Sequence, residues 1–367
     1  MYKLKYLLAV ASCLGPALAA PTPNNFHDVN CLEADTTSSY ATSTAVIPTS
    51  AAPSSAPSSS SAPSAPSTGS SGSSTSSDTA FGFASLNGGT TGGEGGSTTT
   101  VSTYDELAAA VEGDEPKIVI VSGTISETAD QIEVGSNTSI LGADSSAVLD
   151  GFGLVLKEVS NVIIRNLGVK NVLADNGDAI GAEYSTNIWV DHVDVSSNRD
   201  HDKDYYDGLL DFKRASDYIT VSNSYIHDHW KASLVGHSDS NEDEDSGKLH
   251  ITYANNYWSN LNSRGPSFRF GTGHIYNNYY ENVSDGINTR LGAQLLVESN
   301  VWVDGKKALY STDEGYAVQR DNDFGDAEAD APEGTLTSVE YEYEALGPDS
   351  VEAAVVGTAG QTLTFSA

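Results

Sequence analysis

The chain of 367 residues has two cysteines, one methionine and only 18 lysines and arginines against 50 aspartates and glutamates. Each shortage excludes something. A formal charge of −32 argues against nucleic acid and anionic membrane surfaces, because both reward basic patches. It leaves open an anionic substrate held through a bridging metal. No internal cysteine pair is expected: Cys13 falls in a leader and Cys31 stands beside a low-complexity tract, so the fold must be held by other means. Long apolar runs are missing as well. The run at residues 7–18 is too short for a bilayer, which needs about 20 residues. Lys3 and Lys5 precede it and Ala17-Leu18-Ala19 follows, the form of a cleavable secretory signal over residues 1–19. The mature chain is expected to be secreted, extracellular, soluble and monomeric.

Aromatic content is 8% and hydrophobic content 38%, low values that average two unlike regions. Residues 36–100 are of low complexity, with runs at 54–66 and 69–77 made of Ser, Thr, Pro, Ala and Gly, and only Asp78 and Glu94 are charged. Such a tract buries too little apolar area to offset chain entropy and reads as a disordered, O-glycosylated stalk or linker. We therefore assign residues 20–96 to an N-terminal segment and linker and 97–367 to one folded domain.

Within that domain a short helix is expected at 104–111, with Thr103 as its cap and Asp105 and Glu106 in its first turn. After it come short β-branched runs beginning at residues 117, 138, 161, 187, 218, 250, 273 and 295, with steps of 21, 23, 26, 31, 32, 23 and 22. A near-constant step of this length signals a stacked repeat and suits one coil of a parallel β-helix. Asn166, Asn223, Asn256, Asn278 and Asn300 recur at matching places. Asparagine tolerates a left-handed corner, and stacked asparagines can bond from coil to coil. Coils that bury their apolar faces on each other need no disulfides. A β-sandwich would show turns at closer spacing. The longer steps mark coils with inserted loops, where solenoids commonly build binding sites.

Chemistry-bearing residues concentrate in or just after those coils: Asp178; residues 200–213, with Asp207, Asp211 and Lys213; residues 227–231, ending at Lys231; and, one coil later, residues 264–269, bounded by Arg264 and Arg269. Acids from successive coils can converge because strands stack about 5 Å apart, and an all-oxygen cluster suits Ca²⁺. Asp207 and Asp211 would lie about 13 Å apart on a straight strand, but Gly208 offers a bend. Read from sequence alone, these acids serve equally well as solvated loop charges or strand-end caps. Cations are scarce, so four beside an acid cluster point to a polyanionic sugar; isolated surface ion pairs are the alternative. His192, His227, His229 and His237 fit no zinc spacing. Asn137 and Asn282 begin N-glycosylation sequons.

Trp189-Val190-Asp191-His192 resembles the Trp-Ile-Asp-His signature of secreted pectate lyases, and Arg264-Gly265-Pro266-Ser267-Phe268-Arg269 resembles their Arg-x-Pro-x-x-Arg motif. Lys231, within His229-Trp230-Lys231-Ala232, falls where that family has a substrate lysine. The likeness covers nearly all of residues 100–367, in the family's order and closest in wording to its fungal-type members. It implies an all-β, right-handed parallel β-helix and Ca²⁺-dependent β-elimination on polygalacturonate (pectate). It implies Asp178, Asp207 and Asp211 as calcium carboxylates, Arg264 as the catalytic base, and Lys213, Lys231 and Arg269 as contacts to substrate carboxylates. Asn176 stands where some members have a further calcium Asp, and Asp207 where some have Glu. A pectin lyase on methyl-esterified pectin would lack the calcium acids. A polygalacturonase would need Gly-His-Gly and Arg-Ile-Lys motifs, which do not occur here. A non-catalytic wall-binding solenoid would not need Arg264 beside the acids.

Overall fold

The computed structural model describes residues 78–366. The leader at 1–19, Cys31 and most of the low-complexity tract lie outside the described residues. All eight β-branched runs form strands, and all eight belong to a single ten-stranded sheet completed by Ser97–Val101 and Tyr316–Arg320. From Lys117–Val121 onward, between one strand of this sheet and the next the chain passes through an eight-stranded and then a nine-stranded sheet. Neighbouring strands in all three are parallel, as a stacked coil requires.

Alternation within each short run puts one residue of each pair inside, and register stacks equivalent residues through the molecule. Ile140, Ile164, Val190, Val221, Tyr253, Ile275 and Val297 face one another in sequence along the ten-stranded sheet, all at 0% exposure. Burying each such side chain contributes roughly 1.5–3 kcal/mol, which is what replaces disulfides here. A second file runs through the eight-stranded sheet, where Trp258, Tyr280 and Trp302 stack with centroids 5.6 and 4.2 Å apart.

The asparagines divide into two kinds. Asn166 and Asn223 take the left-handed corner, with φ of 56° and 48°. In later coils Asn255 and Asn277 hold that corner, and Asn256, Asn278 and Asn300 stand one residue beyond it. There each side-chain N–H₂ donates to the next asparagine's Oδ1 at 2.9–3.0 Å, ending on Asn322. The helix Tyr104–Val111 forms as expected: Thr103 Oγ1 accepts from Glu106 N at 3.3 Å, and Leu107 and Val111 join the core.

Packed structure begins earlier than the boundary at residue 97. Residues 78–96, assigned by composition to the linker, lie on the outer face of the ten-stranded sheet. Phe83 N and Ala84 N donate to Thr252 and Thr220 Oγ1 at 3.0 and 3.1 Å, and both residues are buried. Asn161 Oδ1 accepts from Thr91 N and Gly92 N. Composition missed this segment because its few apolar residues find their partners on distant coils. The C-terminal segment covers more of the same face, with the Tyr341 hydroxyl 2.7 Å from both Thr252 Oγ1 and His274 Nδ1. That leaves the opposite side for chemistry. The loops inserted in the long coils, 171–179, 197–209 and 236–249, flank the nine-stranded sheet on both sides. No helix of the described residues is long and apolar enough to cross a membrane.

Candidate functional site

The nine-stranded sheet contributes Leu210–Lys213 and Ser267–Arg269; Asp178 and Asp207 stand just before its strands, and Lys231 and Arg264 at the ends of strands of the eight-stranded sheet, at the shared corner. Parallel stacking therefore brings together residues about 30 positions apart.

Gly208 is the pivot. Its N–H donates to Asp178 Oδ1 at 3.1 Å. A Cβ built on it would lie 2.3 Å from Asp211 Oδ1 and 2.9 Å from Asp178 Oδ1, so the two carboxylates close on a space that only glycine leaves open. The bend at Gly208 thus pairs Asp211 with Asp178 from the preceding coil, rather than with Asp207. Asp211 Oδ1 also accepts from Leu234 N at 3.1 Å. Burial, followed by the Asp178 charge, pushes the Asp211 carboxyl well above its usual range, against the pull of Arg264 and Lys213. Lys213 Nζ donates to Asp178 Oδ2 at 2.9 Å. Burial pulls the Lys213 ammonium down, but Asp178 and Asp211 outweigh it and hold it above its ordinary value.

Asp207 is drawn elsewhere: its Oδ1 lies 3.3 Å from Lys231 Nζ, which also reaches Asp204 at 3.4 Å. No three acid, imidazole or thiol side chains among the described residues are gathered as a ready metal shell. The donor set nevertheless fits a hard cation. Asp178 and Asp211 supply paired oxygens around the Gly208 cradle, Asp207 stands one residue away, and the buried pair is short of positive charge.

Arg264 occupies a left-handed corner (φ 65°), and its carbonyl accepts from Ser233 N at 2.9 Å. Its guanidinium makes no ion pair with any described residue. Arg269 is engaged: Nε donates to Asp239 Oδ1 at 2.6 Å and Nη1 to Gly236 O at 2.9 Å. Burial first, then Arg290 and Arg264, lower its pKa against Asp239. Asp239, on the 236–249 insertion, also holds Arg290.

Two contributors escaped the sequence reading. Asp204 shares Lys231 with Asp207; it falls in the 200–213 stretch that the sequence singles out, but its spacing assigns it no role. His229 is a positioning residue: Nε2 donates to the Asp207 carbonyl at 2.6 Å and Nδ1 accepts from Ser197 Oγ at 2.5 Å. Burial pushes its pKa down to about 4, so it is a neutral imidazole fixing the Asp207 backbone. The other histidines scatter, His192 to Asp191 and His227 to Asp194 and Asp228.

The Trp189-Val190-Asp191-His192 motif lies outside this site, in the ten-stranded sheet. Asp191 Oδ2 accepts from Arg165 Nε and His192 Nδ1, both at 2.7 Å. Its Oδ1 accepts from Ser222 Oγ at 2.7 Å and Asn223 Nδ2 at 2.8 Å. Trp189 Nε1 donates to the same Ser222 hydroxyl. The motif is a buried knot tying three coils.

Comparison with known proteins points one way. A family model described as pectate lyase matches residues 69–345. The curated pectate lyase A of Emericella nidulans is 70% identical over 366 residues, covering both chains in full. A pectate lyase A of Aspergillus niger is 71% identical over 79% of this chain and 90% of its own. Among solved structures, the pectate lyase of Bacillus sp. N165, in complex with trigalacturonate, superposes with a TM-score of 0.71 at 32% identity, over 77% of this chain and 98% of its own. A pectate lyase of Xanthomonas campestris gives 0.66 at 27%.

Proposed function

The chain belongs to the pectate lyase family and is a pectate lyase, and from that premise we propose that it is exported and cleaves (1,4)-α-D-galacturonan with Ca²⁺ held by Asp178, Asp207 and Asp211. The observation that carries the reading is the buried Asp178–Asp211 pair closing on Gly208 beside an arginine with no carboxylate partner. A pair so short of compensating charge is stabilised by a bound cation, and the substrate's own carboxylate then needs that cation and Lys231 to approach so acidic a surface.

The chain's residues divide the work. Lys213 bonds Asp178 and Lys231 bonds Asp207, and with Arg269 they take substrate carboxylates. To do so Lys231 exchanges Asp204 and Asp207 for the substrate, and Arg269 shares Asp239. Calcium, when bound, supplies positive charge beside the uronate carboxylate as the adjacent C5–H is lost. Arg264, unpaired and held at its corner, takes the C5 proton. The C5–H electron pair becomes the C4–C5 double bond, and the C4–O bond breaks. The departing oxygen takes a proton from solvent and becomes the new hydroxyl terminus while Arg264 returns the C5 proton to solvent, so protons balance and no water is consumed. An arginine must be deprotonated to act as a base, which costs least at high pH.

Polygalacturonate incubated with the protein should yield the 4,5-unsaturated product in Ca²⁺ and none in excess chelator, with recovery when Ca²⁺ is restored. Full activity in chelator would remove the metal from this reading. Recovery of saturated products instead would overturn the elimination.

A further inference from the structure

Toward the N-terminal coils lies a hollow of about 550 Å³, within the size range of small-molecule sites. It shares the corner that carries Asp178. Glu127, Asp150, Asn171, Leu173, Tyr205 and Tyr206 line it, and no lysine, arginine or histidine does. The loop that sends Asp204 and Asp207 toward Lys231 sends Tyr205 into this hollow.

Tyr205 is held as a platform. The residue is 43% exposed, yet one face of its ring lies against His201 with centroids 3.8 Å apart and planes 19° apart. Tyr206 meets it edge-on at 4.8 Å. Three bonds pin the loop: Ala174 N to Tyr205 O at 3.0 Å, Trp230 Nε1 to His201 O at 2.9 Å and Asn198 Nδ2 to the Tyr206 hydroxyl at 2.8 Å. An exposed aromatic face with its other side already stacked suits the C–H face of a pyranose ring. Polar partners stand beside it: Asn171 Nδ2 donates to Asp150 Oδ1 at 2.9 Å, leaving its own Oδ1 and the second Asp150 oxygen to accept sugar hydroxyls.

Charge sets the class of sugar. The cations Lys213, Lys231, Arg264 and Arg269 gather around the acids, whereas the hollow carries Glu127 and Asp150 with no cation in its lining; Lys170, level with Asp150 on the next strand, is drawn to Asp194 at 3.3 Å. A free uronate would be repelled there, and an uncharged ring would not.

We propose that this hollow is a subsite for an uncharged pyranose of the polymer, either a methyl-esterified galacturonate or a neutral sugar, with Tyr205 as its stacking platform and Glu127 and Asp150 excluding free acid. The proposal rests on the cleft at Arg264 being where the chain is cut.

The test compares kcat/KM on three polymers in Ca²⁺: unesterified galacturonan, the same polymer partly methyl-esterified, and unesterified galacturonan interrupted by neutral sugars. Tyr205→Ala should lose about five- to tenfold on at least one of the two polymers carrying uncharged units, and less than about twofold on the unesterified one. Loss on the esterified polymer assigns the ester; loss on the interrupted polymer assigns the neutral sugar. Glu127→Lys alters an exposed side chain and should move the same ratio the same way through charge, so a folding defect in Tyr205→Ala does not decide the matter. A wild type that makes unsaturated product, with ratios unmoved by both variants, overturns the subsite and leaves the catalytic reading standing. A wild type that makes none from any polymer overturns both.

Discussion

Asp191 and Asp211 are both buried aspartates on strands of the same solenoid, and they end in opposite electrostatic states. For Asp191, burial alone would raise the pKa, but His192 and Arg165 overcome it and hold the carboxyl below its usual range. Both of its oxygens are doubly bonded to side chains from three coils. For Asp211, burial and Asp178 act together, the cations nearby are too few, and the carboxyl is held well above that range. A buried charge whose partners are complete belongs to the architecture. One whose partners are incomplete marks where the molecule expects something from outside.

Breaking the complete site should have the largest effect. Asp191→Ala removes the buried carboxylate that accepts from Arg165, His192, Ser222 and Asn223 and should cost about 3–5 kcal/mol, seen as a Tm lower by about 6–20 °C, roughly the same in Ca²⁺ and in chelator. A Tm within a degree or two of wild type would mean that the knot is not structural. Next comes Arg264→Lys, which keeps a positive charge but loses the fork and its reach. It should lower kcat by at least about 10²-fold with KM little changed and Tm unmoved. Near-wild-type kcat at high pH would leave the base unidentified.

The sharpest contrast comes from Asp211→Asn, with a smaller expected effect. In the folded chain the Asp211 carboxyl keeps its proton at pH values where an unfolded aspartate has lost it. Its contribution therefore favours folding in acid and fades as pH rises through its elevated folded value. Asparagine removes that penalty. In chelator near pH 7 the variant should gain on the order of 1 kcal/mol, about 2–4 °C, with the gain vanishing near pH 3. The wild type should gain Tm from Ca²⁺ and the variant should not. Asp191 has the opposite sign, because its lowered pKa contributes stability above the ordinary carboxylate range that is lost as pH falls. An Asp211→Asn variant less stable than wild type in chelator at pH 7 would erase the distinction between the two aspartates.

The repeat was legible because one coil must match the next. The β-branched runs recur at nearly constant steps, and all of them became strands of a single sheet. The cap at Thr103 was legible because it is local. Residues 78–96 were not, since Phe83 and Ala84 pack on Thr252 and Thr220 well over a hundred residues away and composition carries no trace of that. Of the family-like motifs, one lies at the cleft and the other, around Asp191, serves the core. Likeness in wording did not separate those roles.

What the sequence by itself determined is the solenoid, because period-two runs repeated at coil length can bury their apolar faces only by stacking on copies of themselves. It also placed Asp178, Asp207, Asp211, Lys213 and Lys231 in the coils with insertions, and Arg264 and Arg269 in the coil that follows them. Only the tertiary structure decided which acids pair. Asp211 meets Asp178 across Gly208, Asp207 turns to Lys231, and Asp191 closes on Arg165. Those choices depend on which residues of neighbouring coils fall level when strands stack about 5 Å apart, and on where one glycine lets the chain bend. Neither is visible in any local pattern.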